Sequence, residues 1–197
     1  EVTKTEKRYL NTTSDTEVIL HIFAEELNKN GNPQTSKEFF DVLCNVVTTL
    51  FKKVRGAYSI TALIVGKGLV VFRDPRGIRP LVRGEREVGS WHGGKDYIFA
   101  SENTMFYSMG YESKGNVLPG ELIYVDNDGK LFSKRLVKEE FNPCIFEYVY
   151  FARPDAILND VGVYRSRLRM GQNLAEAWKK KYPDILPDIV IPAPSTA

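Results

Sequence analysis

The sequence predicts an α+β protein: two helices lead into a run of antiparallel strands, and a separate helix-then-strand unit follows. Three observations carry this. Two stretches within residues 15–54 repeat apolar residues at helical spacing. Residues 57–136 are short apolar segments broken by Gly, Asp and Pro turns. At 141–155, FNPCIFEYVYFARPD, the chain changes character, and beyond it lie one long helical pattern and one apolar strand. A two-layer α+β piece, or part of a four-layer sandwich of helices on stacked sheets, fits that order.

The elements follow in turn. In TTSDTEVILHIFAEEL, Ser14 is a candidate N-cap with Glu17 three residues on, a capping box, and Val18, Ile19, Ile22, Phe23 and Leu27 mark the buried side. The pattern predicts a helix from about Asp15 to Leu27, with His21 on its exposed side. Asp15 falls in the first turn, where the macrodipole favours a carboxylate; it serves either as a helix-start residue alone or as a binding group. A second helix is predicted from about Ser36 to Val54, with Phe39, Leu43, Val46, Val47, Leu50, Phe51 and Val54 as its buried stripe and Cys44 as core filler. AYSITALIV and LVVFRD form a hairpin about a GKG turn. DPRG then leads to IRPLVRGE, a looser loop with Trp91, His92, Gly93 and Gly94, and the strand YIFAS. A short helix from about Asn103 to Met109 precedes ELIYVD and LFSKRL, which are joined by the turn Asn127-Asp128-Gly129. The joint, with Phe141, Phe146, Tyr148, Tyr150 and Phe151, reads as a packed interdomain strand or as the lining of a narrow apolar passage. Past it, residues 163–182 repeat Leu168, Leu174, Ala175 and Trp178 at helical spacing, with Arg165, Arg167 and Arg169 as a solvated basic face. DIVIPAPSTA closes as an apolar strand, the opening of a parallel α/β unit.

Composition narrows the function classes. The chain has 197 residues, 43% hydrophobic and 26% charged, as in ordinary globular proteins. A net charge of +2 with mixed signs gives no electrostatic case for nucleic acid or a membrane surface as main partner. No apolar run nears the roughly 20 residues that span a bilayer, and no signal pattern opens the chain, so a cytoplasmic protein is expected. Cys44 and Cys144 are too few for a disulfide framework or a protein-only zinc site.

Four stretches stand together: TTSDTEVILHIF (12–23), RGAYS with FRDPRGIRPL (55–59 and 72–81), ASEN (100–103) and CIFEYVYFARPD (144–155). In this order and spacing they closely resemble the glutamine phosphoribosylpyrophosphate amidotransferase (amidophosphoribosyltransferase) family, over essentially the whole chain. Ser-Asp-Thr-Glu and Asp-Pro-x-Gly-x-Arg-Pro-Leu recur in several N-terminal-nucleophile amidotransferases; FEYVYFARPD singles out this member. The resemblance implies an N-terminal-nucleophile (Ntn) hydrolase αββα sandwich portion followed by the start of a phosphoribosyltransferase α/β domain. Residues 1–140 are then the latter part of the glutaminase domain, and 141–197 the joint and the start of the second domain.

In that family, an N-terminal cysteine attacks the glutamine amide. The released ammonia crosses an apolar channel and displaces pyrophosphate from phosphoribosyl pyrophosphate, giving 5-phosphoribosylamine in the first step of purine nucleotide synthesis. The resemblance places Asp15 on the α-ammonium of glutamine, Phe146 and Tyr150 in the ammonia channel, and Thr196 near Mg2+ and phosphoribosyl pyrophosphate. Cys144 matches a position that ligates an iron–sulfur cluster in some members and is a plain cysteine in others. Purine nucleotides as feedback inhibitors and a homotetramer are implied for the complete enzyme. The nucleophilic cysteine, the Asn-Gly pair of the oxyanion hole and the acidic-pair loop of the second site are not in this sequence, so it is expected to be an internal, inactive fragment. A non-catalytic scaffold or regulatory module derived from an Ntn amidotransferase is the competing class. Another Ntn amidotransferase, such as a glucosamine-phosphate synthase, shares the front half but not the joint.

Overall fold

The computed structural model describes residues 10–31, 33–88 and 94–192. Helix α1 (Asp15–Lys29) and helix α2 (Ser36–Lys53) come first. The capping box belongs to α2: the Glu38 amide donates to Thr35 Oγ1 at 3.2 Å, and the Thr35 amide donates to Glu38 Oε2 at 3.2 Å. At α1 the expected Ser14–Glu17 box does not form. The Glu17 carboxylate instead reaches further back, accepting from the amides of Asn11 and Thr12 at 2.8 Å each and from the Thr12 hydroxyl at 2.6 Å. His21 is half-buried rather than exposed, its Nε2 lying 3.5 Å from Glu17 Oε1 one turn away.

Strands β1 (Ser59–Ile64), β2 (Gly68–Arg73), β6 (Glu121–Asp126) and β7 (Leu131–Arg135) make one antiparallel sheet in the order β1-β2-β6-β7. Strands β3 (Val82–Val88), β4 (Gly94–Ala100) and β5 (Glu112–Asn116) make a second, ordered β4-β3-β5. The side chains of β2 and β6 alternate between two cores. Val70, Phe72, Leu122 and Tyr124 meet the Phe39, Leu43, Val46, Val47 and Leu50 stripe of α2. Val71, Ile123 and Val125 meet the second sheet through Tyr97 and Phe99. The central strands are therefore apolar on both faces and covered on both, which gives three layers: helices, sheet, sheet.

Sequence and structure part in four further places. Strand β5, ESKGN, was not expected, since it is polar and holds a glycine; pairing to β3 secures it. The helix expected over 103–109 is a single 3-10 turn, Tyr107–Met109, closed by Gly110 at φ 77°. The joint is not a strand: Ile145 begins a short coil of helix in which Glu147–Phe151 takes a π-type turn, the Ala152 amide donating to the Glu147 carbonyl at 2.9 Å. The closing strand does not form over 188–192, because an isolated strand has no ladder to join. Trp91, His92 and Thr196 lie outside the described residues.

Beyond the joint, a two-residue turn at Asn159-Asp160 (φ 49° and 62°) joins the short strands β8 (Ile157–Leu158) and β9 (Val161–Gly162). Helix α3 (Val163–Lys181) follows. Its Leu168, Leu174 and Trp178 are exposed. No helix among the described residues is long and apolar enough to cross a membrane.

Candidate functional site

An open cleft of about 740 Å³ lies where the start of α1 faces the chain that enters β1. Asp15, Thr16, Val18 and Ile19 form one wall and residues 54–60 the other; Arg79, Pro80 and Ser101 complete it. Asp15 stands there as the first residue of helix α1. The Thr16 hydroxyl donates to Asp15 Oδ1 in a long contact of 3.4 Å. Tyr58 is buried on the opposite wall; burial, helped by the Asp74 charge, pushes its phenol up. The cleft can take a small polar molecule bearing a cationic group beside Asp15.

The turn FRDPRGIRPL builds the floor. Asp74 accepts from the amides of Arg76 and Ile78 at 3.0 Å each, closing a tight turn in which Gly77 takes φ 61°. Arg73, 1% exposed, donates to the carbonyls of Arg79, Val117 and Gly77 at 2.8–2.9 Å and to Asn159 Oδ1 at 3.3 Å. A buried guanidinium is tolerated because its fork is filled by acceptors. Asn159 passes the link on, donating to the Tyr148 hydroxyl at 3.0 Å, which donates to the Leu158 carbonyl at 3.0 Å.

The joint is fastened to the cleft by the same motifs. The amides of Asn142 and Cys144 donate to the carbonyls of Arg76 and Ile78 at 3.0 Å each. Arg79 Nη1 stands 2.7 Å from Glu147 Oε1, and its guanidinium lies over the Phe151 ring at 5.5 Å. Glu147 is 6% exposed; burial pushes its carboxyl up while the Arg79 charge pulls it down. Within ASEN, Glu102 accepts from the Arg153 amide at 3.2 Å and Asn103 from the Ile157 amide at 3.2 Å. From α3, Arg167 donates to the carbonyls of Tyr148, Tyr150 and Ala152. The Arg153–Asp155 pair is a local clasp, at 3.1 and 3.2 Å.

Phe146 and Tyr150 stand one helical turn apart on the joint, 59% and 60% exposed. No group of three or more His, Cys, Asp or Glu that could hold a metal lies among the described residues. Sequence reasoning did not single out Arg73, Arg79, Glu147, Glu102 or Asn159. Glu147 had a signal, a lone carboxylate inside the apolar run CIFEYVYF, since acids are buried almost only when paired.

No family model matches the chain. Over 193 residues it is 40% identical to the amidophosphoribosyltransferase of Escherichia coli, covering 97% of this chain and 37% of the relative. It is 44% identical to that of Haemophilus influenzae (100% and 38%) and 40% identical to that of Schizosaccharomyces pombe (96% and 37%). The chain belongs to the amidophosphoribosyltransferase family. It spans a little over a third of the length of these curated relatives. Among solved structures, the amidophosphoribosyltransferase fold is shared with the glutamine phosphoribosylpyrophosphate amidotransferase from B. subtilis complexed with ADP and GMP, at a TM-score of 0.67 and 28% identity over 88% of this chain and 34% of that one. A structure described as the allosteric regulatory enzyme of purine biosynthesis matches at 0.68, also 28% identical over 88%.

Proposed function

We propose that the cleft at Asp15 is the glutamine site of an amidophosphoribosyltransferase whose complete protein makes 5-phosphoribosylamine from glutamine and phosphoribosyl pyrophosphate. Residues 1–140 are then the latter part of its glutaminase domain, and 141–197 the joint and the start of its phosphoribosyltransferase domain. One observation carries this. Asp15, the RGAYS segment, Arg79-Pro80 and Ser101 come from three separate motifs and line a single cleft, and the fourth motif is bonded to that cleft's floor.

In this reading the Asp15 carboxylate takes the α-ammonium of glutamine, a charge-assisted contact that orients the side-chain amide. The nucleophile that opens the amide lies outside this sequence. Phe146 and Tyr150 line the route of the released ammonia, which an apolar wall keeps neutral and nucleophilic. Mg2+ with phosphoribosyl pyrophosphate belongs near Thr196. Purine nucleotides as inhibitors, a homotetramer and a cytoplasmic location complete the reading; the B. subtilis structure with ADP and GMP supports the nucleotide part.

In the complete protein, Asp15→Asn is expected to raise the glutamine KM by roughly 10–100-fold, the equivalent of losing a charge-assisted hydrogen bond, and to leave synthesis from free ammonia unchanged. Equal losses in both assays would sink the assignment.

A further inference from the structure

We propose that Arg79 and Glu147 are a positioning pair that fixes the joint against the cleft and so keeps glutamine consumption in step with product formation; this rests on the reading of the cleft as a glutamine site. Among the described contacts, Arg79 is the one cleft residue whose side chain also grips the joint. Its backbone cannot move aside, since its carbonyl accepts from Arg73 Nε at 2.8 Å and the next carbonyl, of Pro80, accepts from the Ser59 hydroxyl at 3.1 Å. From this fixed point the guanidinium reaches Glu147 at 2.7 Å and covers Phe151.

Glu147 opens the π-type turn that carries Tyr150 and Phe151, whose rings meet edge to face at 5.5 Å. A π-type turn is a strained, adjustable piece of helix. Two backbone hydrogen bonds hold the joint before that turn, at Asn142 and Cys144, and Arg167 holds carbonyls from Tyr148 onward. Between them the only charged side chain tying the turn to the cleft among the described contacts is Glu147. Its carboxylate is nearly buried, so without Arg79 it would have to find water, and the turn would swing outward to reach it. Tyr150 would move with it.

The test uses the complete protein with Arg79→Met, Glu147→Gln, the two combined, and the charge exchange Arg79→Glu with Glu147→Arg. Glutamine consumed, product formed from glutamine and product formed from ammonia are measured together with amide exchange over residues 147–152. Each single variant is expected to consume at least ~3-fold more glutamine per product, to keep ammonia-driven synthesis within ~2-fold, and to exchange ~10-fold faster at the turn, with the double variant no worse than either single. The charge exchange should restore part of both signals. Additive effects, or exchange at the turn unchanged from the parent, overturn the proposal; so does faster exchange with coupling intact. If the parent protein does not hydrolyse glutamine at all, the reading of the cleft fails, and the exchange cycle still decides whether Arg79 holds the joint.

Discussion

The single ammonium of lysine cannot reach the several acceptors that fill the fork of the buried Arg73 guanidinium. Arg73→Lys would strand carbonyls of Val117 and Gly77 and let go of Asn159, so we expect it to lower the unfolding free energy by about 3 kcal/mol, read from urea melts with an unchanged slope. Glu17 gives a pH signature. The Thr12 hydroxyl first, then the Asn11 amide, hold its carboxyl at about 2 against an ordinary 4.5. Its folded value is depressed, so it supports the start of α1 fully above about 4.5, and that support fades as the pH falls towards 2. Amide exchange at Asn11 and Thr12 should accelerate over that range in the parent and be fast and pH-independent, beyond the intrinsic rate, in Glu17→Gln. Asp15 was legible at this scale because a carboxylate at a helix start is a local pattern. The remote partners of Arg73 and Glu147 were not, since Val117 and Asn159 lie 44 and 86 positions from Arg73 and Arg79 lies 68 from Glu147, and nothing local marks them.

Helix α2 was read correctly almost to the residue because burial on one side leaves a periodic trace that tertiary context does not disturb. Its Leu43 is fully buried in the core that α2 shares with the first sheet, and Leu43→Ala is expected to cost about 3 kcal/mol, with little effect on the cleft. The joint was misread as a strand for the converse reason. Five aromatics and two valine-type neighbours favour a strand locally, yet no free sheet edge is offered there, while Arg167 and the Ile78 carbonyl supply partners for a helical turn. Polar β5 was missed because its pairing with β3, not its composition, makes it a strand.

At the scale of the whole molecule, the described polar contacts between the two parts are hydrogen bonds, the Arg79–Glu147 ion pair and two arginines over aromatic rings. Tyr150→Ala in the complete protein is expected to leave glutamine hydrolysis within about 2-fold and to release ammonia to solvent, seen as glutamine consumed outrunning product. If the two stay in step, Tyr150 only packs. Amide exchange should be slowest in β2 and β6 and fastest over residues 188–192, which have no ladder; equal protection would mean the terminal segment has found a strand partner. The layered fold and the clustering of four motifs were legible because each motif is contiguous, whereas the way they interlock depends on the crossing of the chain. That crossing has a consequence for synthesis. Strand β2 pairs with β6, and the whole second sheet is made between them. While a ribosome is adding residues 74–120, the backbone edge of Val70 to Phe72 has been made and the strand that pairs with it has not. The α1–α2 hairpin can assemble at once from local contacts, but the central ladder must wait for Leu122 and Ile123, which makes it the slow step of folding and the interval in which a nascent chain is open to wrong partners.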